Sequence, residues 1–145
     1  MVLNQGLSAG SRILPIIDQR NNINNSSNAK PIQVINSNIK FQNVNFSYEI
    51  SEGKTLNSIN LEFEGGKMTS LVGHSGSGKS TIMNLIPRFY DIQSGTIFID
   101  DQPIDKLTIK SLREQISMVS QETTLFDDTI KNNIKYAREN ATDDE

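Results

Sequence analysis

The sequence contains no cysteine and only one histidine among its 145 residues. The absence of cysteine excludes a disulfide-stabilised scaffold, a thiolate zinc site and a cysteine nucleophile. A single histidine argues against a histidine-rich metal centre. No apolar run approaches the roughly 18–20 residues that a membrane-spanning helix needs, so we expect that the chain does not span a membrane by itself.

The chain also lacks an excess of positive charge, since 14 basic residues stand against 17 acidic ones and the formal net charge is −3. Proteins that bind nucleic acid or anionic lipid concentrate Lys and Arg on their surface. We therefore expect no nucleic-acid partner. The first residues lack the basic and apolar regions of a signal peptide, which favours a cytoplasmic setting.

Composition divides the chain into three segments. Residues 21–37 are rich in Asn at their start, and we interpret them as a linker because Asn and Ser side chains compete for backbone hydrogen bonds. Residues 1–20 are too short to fold alone, so we interpret them as the end of a preceding domain. Residues 38–145 are predicted to form a single α/β domain.

Hydrophobic periodicity predicts the elements of this domain. Near-alternating apolar positions indicate strands in three segments: residues 39–48, 56–63 and 95–100. The first strand is expected to bulge, because the alternation slips between Phe41 and Val44. Two short apolar runs, residues 68–72 and 116–119, predict two further strands.

Helical spacing of apolar residues predicts three helices: residues 80–89, 108–115 and 127–137. The first helix should end or kink at Pro87, because proline removes a backbone donor and clashes with the preceding turn. Thr142 and Glu145 have the spacing of a capping box, which begins a helix; the alternative is a frayed acidic tail.

The strongest chemical signal is a glycine-rich segment between the predicted strand at residues 68–72 and the helix that follows. It reads Gly73-His74-Ser75-Gly76-Ser77-Gly78-Lys79-Ser80-Thr81, which fits the phosphate-loop pattern G-x-x-x-x-G-K-[S/T]. Glycine lets the chain curl so that successive backbone N–H groups face one anion. Lys79 would then reach the β- and γ-phosphates, Ser80 would bind Mg²⁺, and Thr81 would donate to the α-phosphate.

His74 occupies a variable position of this pattern, so we expect it to be solvated and not catalytic. The phosphate loop by itself does not distinguish kinases, GTPases and transport ATPases.

The surrounding residues resemble the nucleotide-binding domain of ATP-binding cassette (ABC) transporters from about Ile39 to Ala137. Phe46-Ser47-Tyr48 is similar to the family's A-loop, which implies that Tyr48 stacks on adenine; a half-buried strand tyrosine is the alternative. Val119-Ser120-Gln121-Glu122 is similar to the Q-loop. This implies that Gln121 contacts Mg²⁺ and the attacking water, with an ordinary polar loop residue as the alternative.

Two further stretches, residues 85–91 and 125–134, resemble the exporter branch, most of all bacterial lipid exporters of the lipid-A flippase type. Residues 6–18 look like the end of a last transmembrane helix. The resemblance implies a P-loop NTPase fold with an antiparallel β subdomain and an incomplete parallel-sheet core. It also implies ATP and Mg²⁺ as ligands, and an exporter transmembrane domain and a second nucleotide-binding domain as partners at the cytoplasmic face of the bacterial inner membrane.

Several family motifs are not found in these 145 residues: the signature sequence, the Walker B strand ending in Asp-Glu, the D-loop and the switch histidine. The one Asp-Glu pair, Asp144-Glu145, follows a polar segment. We therefore expect the N-terminal part of such a domain, one that binds ATP without hydrolysing it alone. Two alternatives are a truncated or split product without independent function, and a P-loop ATPase outside transport.

Overall fold

The computed structural model describes residues 11–15, 23–49, 53, 55–121, 124–138 and 140–142. Its strands are β1 (Ile39–Phe46), β2 (Leu56–Phe63), β3 (Ser94–Ile99) and β4 (Gln102–Pro103). Its helices are α1 (Lys79–Leu85), α2 (Ile109–Glu114) and α3 (Ile130–Lys135), with a 3₁₀ turn at Ile104–Lys106. Residues 11–15 are also helical. The strands form an antiparallel sheet in the order β2-β1-β3-β4.

The central strand β1 carries the predicted bulge. Its register with β2 shifts between Phe41 and Val44, and Asn43 between them has a φ of 50°. Without this shift Phe41 and Val44 would point to opposite faces of the sheet, because side chains alternate along a strand. The bulge therefore lets Phe41, Val44 and Phe46 all be buried on the core face.

The hydrophobic core lies between one face of the sheet and the helices α1 and α2. Twelve buried apolar side chains form it: Phe41, Val44, Phe46, Leu56, Ile82, Leu85, Ile86, Ile97, Ile99, Ile104, Leu107 and Leu112. Members of β1, β3, α1 and α2 are all present in this cluster. The core therefore fixes the start of α1, and with it the end of the phosphate loop, against the sheet.

The three predicted helices are confirmed with shorter bounds than the sequence indicated. Helix α1 ends at Leu85, and Pro87 follows one residue after its C-terminal cap, as expected for a residue that cannot continue a helix. Helix α2 begins after Thr108. Helix α3 begins after Thr129, whose side chain accepts a hydrogen bond from the backbone N–H of Asn132.

The two short strands predicted at residues 68–72 and 116–119 are wrong, since both segments are irregular. Met68, Val72 and Val119 are 97%, 94% and 96% exposed. A strand needs a neighbour that accepts and donates its backbone hydrogen bonds. Within the described part of the chain no strand pairs with either segment, so their apolar character alone does not produce a strand.

The described part of the predicted linker is attached to the domain. Lys30 forms an isolated parallel bridge with Leu107, and the N–H of Ile32 donates to Ser111 Oγ at 3.0 Å. The three segment boundaries stay a prediction. Residues 6–10 and 16–18 of the predicted membrane-proximal helix lie outside the described residues, as do residues 143–145 of the predicted capping box. None of the described helices has the length and hydrophobicity to cross a membrane.

Asp100 holds this segment to the domain through four hydrogen bonds. Its carboxylate accepts backbone N–H groups at 2.7–3.0 Å from four consecutive residues: Ile35, Asn36, Ser37 and Asn38. The N–H of Ile35, followed by those of Asn38, Ser37 and Asn36, lowers the pKa of Asp100 to about 2, against an opposing effect of partial desolvation. One side chain at the end of β3 therefore holds the residues that enter β1.

Candidate nucleotide-binding site

The predicted phosphate loop leads directly into α1. Gly76 and Gly78 have φ values of 78° and 87°, in the left-handed region that glycine adopts without strain. Gly78 is the N-terminal cap of α1, and a Cβ on it would lie 2.7 Å from Leu56 Cδ2. Both the backbone conformation and the close approach to β2 therefore require glycine at this end of the loop.

The ammonium group of Lys79 lies against the loop backbone. Its Nζ donates to the carbonyl oxygens of Gly73 at 2.8 Å and His74 at 2.7 Å, and to Ser77 Oγ at 3.3 Å. The N–H of Ser77 donates to the carbonyl of His74 at 3.2 Å and closes the turn. Phosphate oxygens offer the same kind of acceptor, so Lys79 can exchange loop carbonyls for a phosphate.

Ser75 and Ser80 are exposed, and Thr81 is buried at the start of α1. Among the described residues there is no group of three or more His, Asp or Glu side chains that could hold a metal ion. Mg²⁺ bound with a nucleotide keeps several waters and takes phosphate oxygens as ligands, so it needs few protein ligands. The exposed hydroxyl of Ser80 in the first turn of α1 fits such a site. His74 is also exposed, as expected for a solvated residue.

The structure brings Tyr48 to the phosphate loop across 33 residues of sequence. Its hydroxyl donates to Thr81 Oγ1 at 3.3 Å. Its ring lies in T-shaped contact with Phe46, at 4.9 Å between centroids, and with Tyr90, at 5.1 Å. An aromatic ring at this place can stack on a base whose phosphates occupy the loop.

Gln121 is not joined to this group. It is exposed on a bend, and no hydrogen bond links it to the phosphate loop among the residues that the structure describes. Glu122, the next residue of the predicted Q-loop, lies outside the described residues. The role of Gln121 in positioning water and Mg²⁺ therefore stays a prediction.

An open cavity of about 580 Å³ lies beside the loop, between β2 and residues 71–74. Lys79 and His74 line one side, and the apolar side chains of Ile59 and Leu61 line another. Its volume falls in the range of ligand pockets. Tyr48 is not part of its lining, and its apolar wall suits a hydrocarbon better than a triphosphate. Gly73, His74, Ser77 and Lys79 of the phosphate loop also line this cavity.

Sequence reasoning did not identify Tyr90 as a neighbour of the site. Tyr90 lies 42 positions from Tyr48 in the sequence, and no local pattern joins them. The available signal was compositional: aromatic residues make up only 6% of the chain, yet Phe46, Tyr48, Phe89 and Tyr90 form two close pairs beside the motifs.

Comparison with known proteins identifies the family of this chain. The ABC transporter family matches residues 56–145, which is more than half of the chain. A solved structure of a bacterial Atm1-family ABC exporter with ATP bound has a TM-score of 0.84 and 37% sequence identity. That match covers 97% of this chain and 25% of the exporter chain. The chain belongs to the ABC transporter family, and its predicted P-loop NTPase fold is confirmed.

The matching proteins include exporters and a lipid flippase, as the sequence predicted. The ATP-dependent lipid A-core flippase of Desulfotalea psychrophila is 43% identical over 143 residues, which is 99% of this chain and 25% of the flippase. The uncharacterized ABC transporter ATP-binding protein YknV of Bacillus subtilis is 44% identical over 140 residues, 97% of this chain and 23% of YknV. The chain thus spans about a quarter of the length of these relatives.

Proposed function

We propose that the chain binds Mg-ATP and serves as the ATP-binding part of an ABC exporter. The observation that carries this proposal is the loop before α1, where Gly76 and Gly78 adopt left-handed conformations and Lys79 lies within the curl. This geometry supports the binding of a polyphosphate, because a loop that curls at Gly76 and Gly78 can turn its backbone N–H groups towards an anion beside the Lys79 cation.

Each residue has a separate role in this proposal. The loop residues Gly73, Ser75, Gly76, Ser77 and Gly78 surround the phosphates with backbone N–H groups other than that of Ser77, which donates to the carbonyl of His74. Lys79 neutralises charge on the β- and γ-phosphates. Ser80 holds Mg²⁺, which shields the phosphate oxygens from one another, and Thr81 donates to the α-phosphate. Tyr48 stacks on adenine, and its contact with Thr81 supports this assignment because it places the ring next to the loop.

We propose further that this chain by itself does not hydrolyse ATP. Phosphoryl transfer depends on groups that orient water and stabilise charge in the transition state. Gln121 is the one such group that we assign here, and the signature, Walker B and switch-histidine motifs are not among these 145 residues. In the complete exporter we expect two nucleotide-binding domains to enclose ATP at the cytoplasmic face of the membrane.

The names of the relatives support export as the process that ATP drives, and the lipid A-core flippase makes a lipid one candidate cargo. The transmembrane domain of the exporter is the expected partner of this chain. Its identity would decide the cargo, since substrate contacts in such a protein lie within the membrane.

The test compares two lysine variants in a calorimetric titration with Mg-ATP. Lys79→Ala removes a charge-assisted contact and should weaken ATP binding about 10- to 100-fold. Lys110→Ala is the control, because Lys110 is exposed on α2 and its ion pair is with Glu114, at 3.9 Å. Equal affinities of the Lys79→Ala variant and the unmodified chain would overturn the proposed binding site.

A second candidate is a product without independent function, and the exposure of Met68, Val72 and Val119 favours it. Exposed apolar segments promote association between chains. A cooperative thermal transition and a well-dispersed amide spectrum would count against this candidate. A broad transition with concentration-dependent aggregation would favour it over the proposal above.

A further inference from the structure

Tyr90 belongs to the exporter-like stretch 85–91 and lies outside the phosphate loop, the A-loop and the Q-loop, yet it contacts the tyrosine that we assign to adenine. The ring centroids of Tyr90 and Tyr48 are 5.1 Å apart and the ring planes are perpendicular. Tyr90 also lies 5.7 Å from Phe46, with the planes tilted by 55°. Together Phe46, Tyr48 and Tyr90 form an aromatic cluster in which each ring contacts the other two, at separations that favour attraction between rings.

The orientation of Tyr48 depends on these contacts because the backbone gives it little support. Strand β1 ends at Phe46, so Tyr48 lies outside the strand pairing of the described residues. Phe46 itself is anchored, being only 3% exposed within the core. Tyr48 packs against the hydrophobic core, and its hydroxyl contact with Thr81 and the rings of Phe46 and Tyr90 restrict the direction of its ring.

Tyr90 is suited to this task because the turn that carries it is held from two sides. Arg88 is 6% exposed with a φ of 53°, and its Nε donates to Asp91 Oδ1 at 2.6 Å. From α2, Arg113 donates to the carbonyl oxygens of Pro87 at 3.0 Å and Arg88 at 2.8 Å. Two guanidinium groups therefore fix the residues on both sides of Tyr90. A tyrosine fixed in this way can hold the neighbouring ring of Tyr48 in place.

We propose that Tyr90 is a positioning residue that sets the tilt of the Tyr48 ring and thereby favours a nucleotide base over phosphate alone. This inference rests on the proposed function, in which Tyr48 stacks on adenine. Stacking requires one face of Tyr48 at a defined angle, and a freely rotating ring would lose entropy on binding. The effect of Tyr90 should therefore appear only with ligands that carry a base.

The experiment titrates Mg-ATP and Mg-tripolyphosphate, which has no base, into the full chain and its variants. Tyr90→Leu should weaken ATP binding about three- to tenfold, the range of one aromatic pair, and leave tripolyphosphate binding unchanged. Tyr90→Phe should restore ATP binding, because it keeps the ring. Tyr136→Leu is the matched control, since Tyr136 is 74% exposed and contacts Phe126 outside the aromatic cluster.

Unchanged ATP affinity in Tyr90→Leu, while the unmodified chain binds ATP, would overturn this inference and leave the proposed function standing. An equal loss for both ligands would also overturn it, because that result indicates a damaged fold. Failure of the unmodified chain to bind ATP would overturn the proposed function and this inference with it.

A ligand-free measurement tests the contact itself. The ring resonances of Tyr48 in tyrosine-labelled protein should shift in Tyr90→Leu, because the ring current of Tyr90 is lost, and should stay close to their original values in Tyr90→Phe. Unmoved Tyr48 resonances in Tyr90→Leu would overturn the inference whatever the binding data show.

Discussion

Apolar residues are buried where the antiparallel sheet packs against α1, but similar residues are exposed in the irregular segments around the sheet. Leu85 packs under the sheet and is 0% exposed, whereas Leu125 in an irregular segment is 72% exposed. The difference lies in the neighbours: β1 has a paired strand on each side, and residues 68–72 and 116–119 have none among the described residues. Apolar character supplies the driving force for burial, but a paired backbone decides where strands form.

The two regions also differ in which groups form hydrogen bonds with their irregular backbone. At the bulge of the sheet, the N–H of Asn43 donates to Asn60 Oδ1, and Asn60 Nδ2 donates to Asn43 Oδ1, both at 3.0 Å. In the phosphate loop, Lys79 donates to the carbonyl oxygens of Gly73 and His74. The bulge is held by two hydrogen bonds between Asn43 and Asn60, whereas the loop is held by the Lys79 ammonium group, which can bind a phosphate instead. The bulge is therefore a purely structural irregularity, and the loop is one that can bind a ligand.

The largest difference between the two regions should appear with matched leucine variants. Leu85→Ala should lower the free energy of unfolding by about 3 kcal/mol, because it removes buried methyl groups and leaves a cavity. Leu125→Ala should change it by less than about 0.5 kcal/mol. Urea denaturation measures both, and similar losses would contradict the division into a buried and an exposed region.

A pair of glycine variants tests how tightly the sheet is packed at its bulge. Gly95 has a φ of 90°, and a Cβ on it would lie 2.4 Å from the carbonyl oxygen of Asn43. Gly95→Ala should therefore destabilise the fold by about 2 kcal/mol through backbone strain and overlap. Gly53→Ala is the control, because a Cβ there meets no atom of the described residues within 4 Å. Equal melting temperatures of the two variants would show that β1 and β3 separate easily at this point.

Asp100 tests whether the segment before β1 belongs to the ordered region. Asp100→Asn replaces a charged acceptor of four N–H groups by a neutral one, and should cost about 1–2 kcal/mol after allowing for solvent screening. Hydrogen exchange at residues 35–38 should rise in this variant. Asp101→Asn is the control, since the four N–H groups donate to Asp100. Unchanged exchange in Asp100→Asn would show that the segment is held by other contacts.

The same carboxylate predicts a pH dependence. Its folded pKa of about 2 lies below the usual value of 3.8, so its contribution to stability is present above pH 3.8 and is lost as the pH falls towards 2. The stability difference between the unmodified chain and Asp100→Asn should therefore shrink across this interval. A difference that stays constant from pH 5 to 2 would contradict the assignment of the N–H bonds to the charged carboxylate.

The smallest effect is expected at the start of α3. Thr129 caps this helix by accepting the N–H of Asn132 at 3.1 Å, so Thr129→Ala should reduce the local stability of α3 by about 0.5–1 kcal/mol. Faster amide exchange at Asn132 measures the loss. Thr124→Ala, at an exposed position outside the helix, should leave this exchange unchanged. Equal rates in both variants would show that the cap does not hold the helix.

The comparison between the two regions also explains what the sequence could predict. Strands β1, β2 and β3 were predictable because their alternation of apolar residues is local, and even the bulge appeared as a slip between Phe41 and Val44. The two-residue strand β4 was not predicted, because it is too short to show an alternation. The strands at residues 68–72 and 116–119 were predicted wrongly, since a four- or five-residue apolar run contains no information about its partners. Pro87 marked the end of α1 correctly, because proline acts on the adjacent backbone.

The candidate site was predictable only in part for the same reason. The phosphate loop is a contiguous motif, so Gly73 to Thr81 could be assigned from residue type and spacing. The contact between Tyr48 and Tyr90, and the bonds from residues 35–38 to Asp100, join positions far apart in the sequence. Such contacts depend on how the elements pack, and no local pattern encodes them.

The most direct test of the account is an amide NMR titration of the full chain with Mg-ATP. Binding at the phosphate loop predicts that the N–H resonances of Gly76, Gly78 and Lys79 shift most, since these groups would face the phosphates. The resonance of Ile97, buried in β3, should stay nearly constant. Saturable shifts confined to the loop and to residues around Tyr48 would support the account. Shifts centred elsewhere, or none at saturating Mg-ATP, would contradict it.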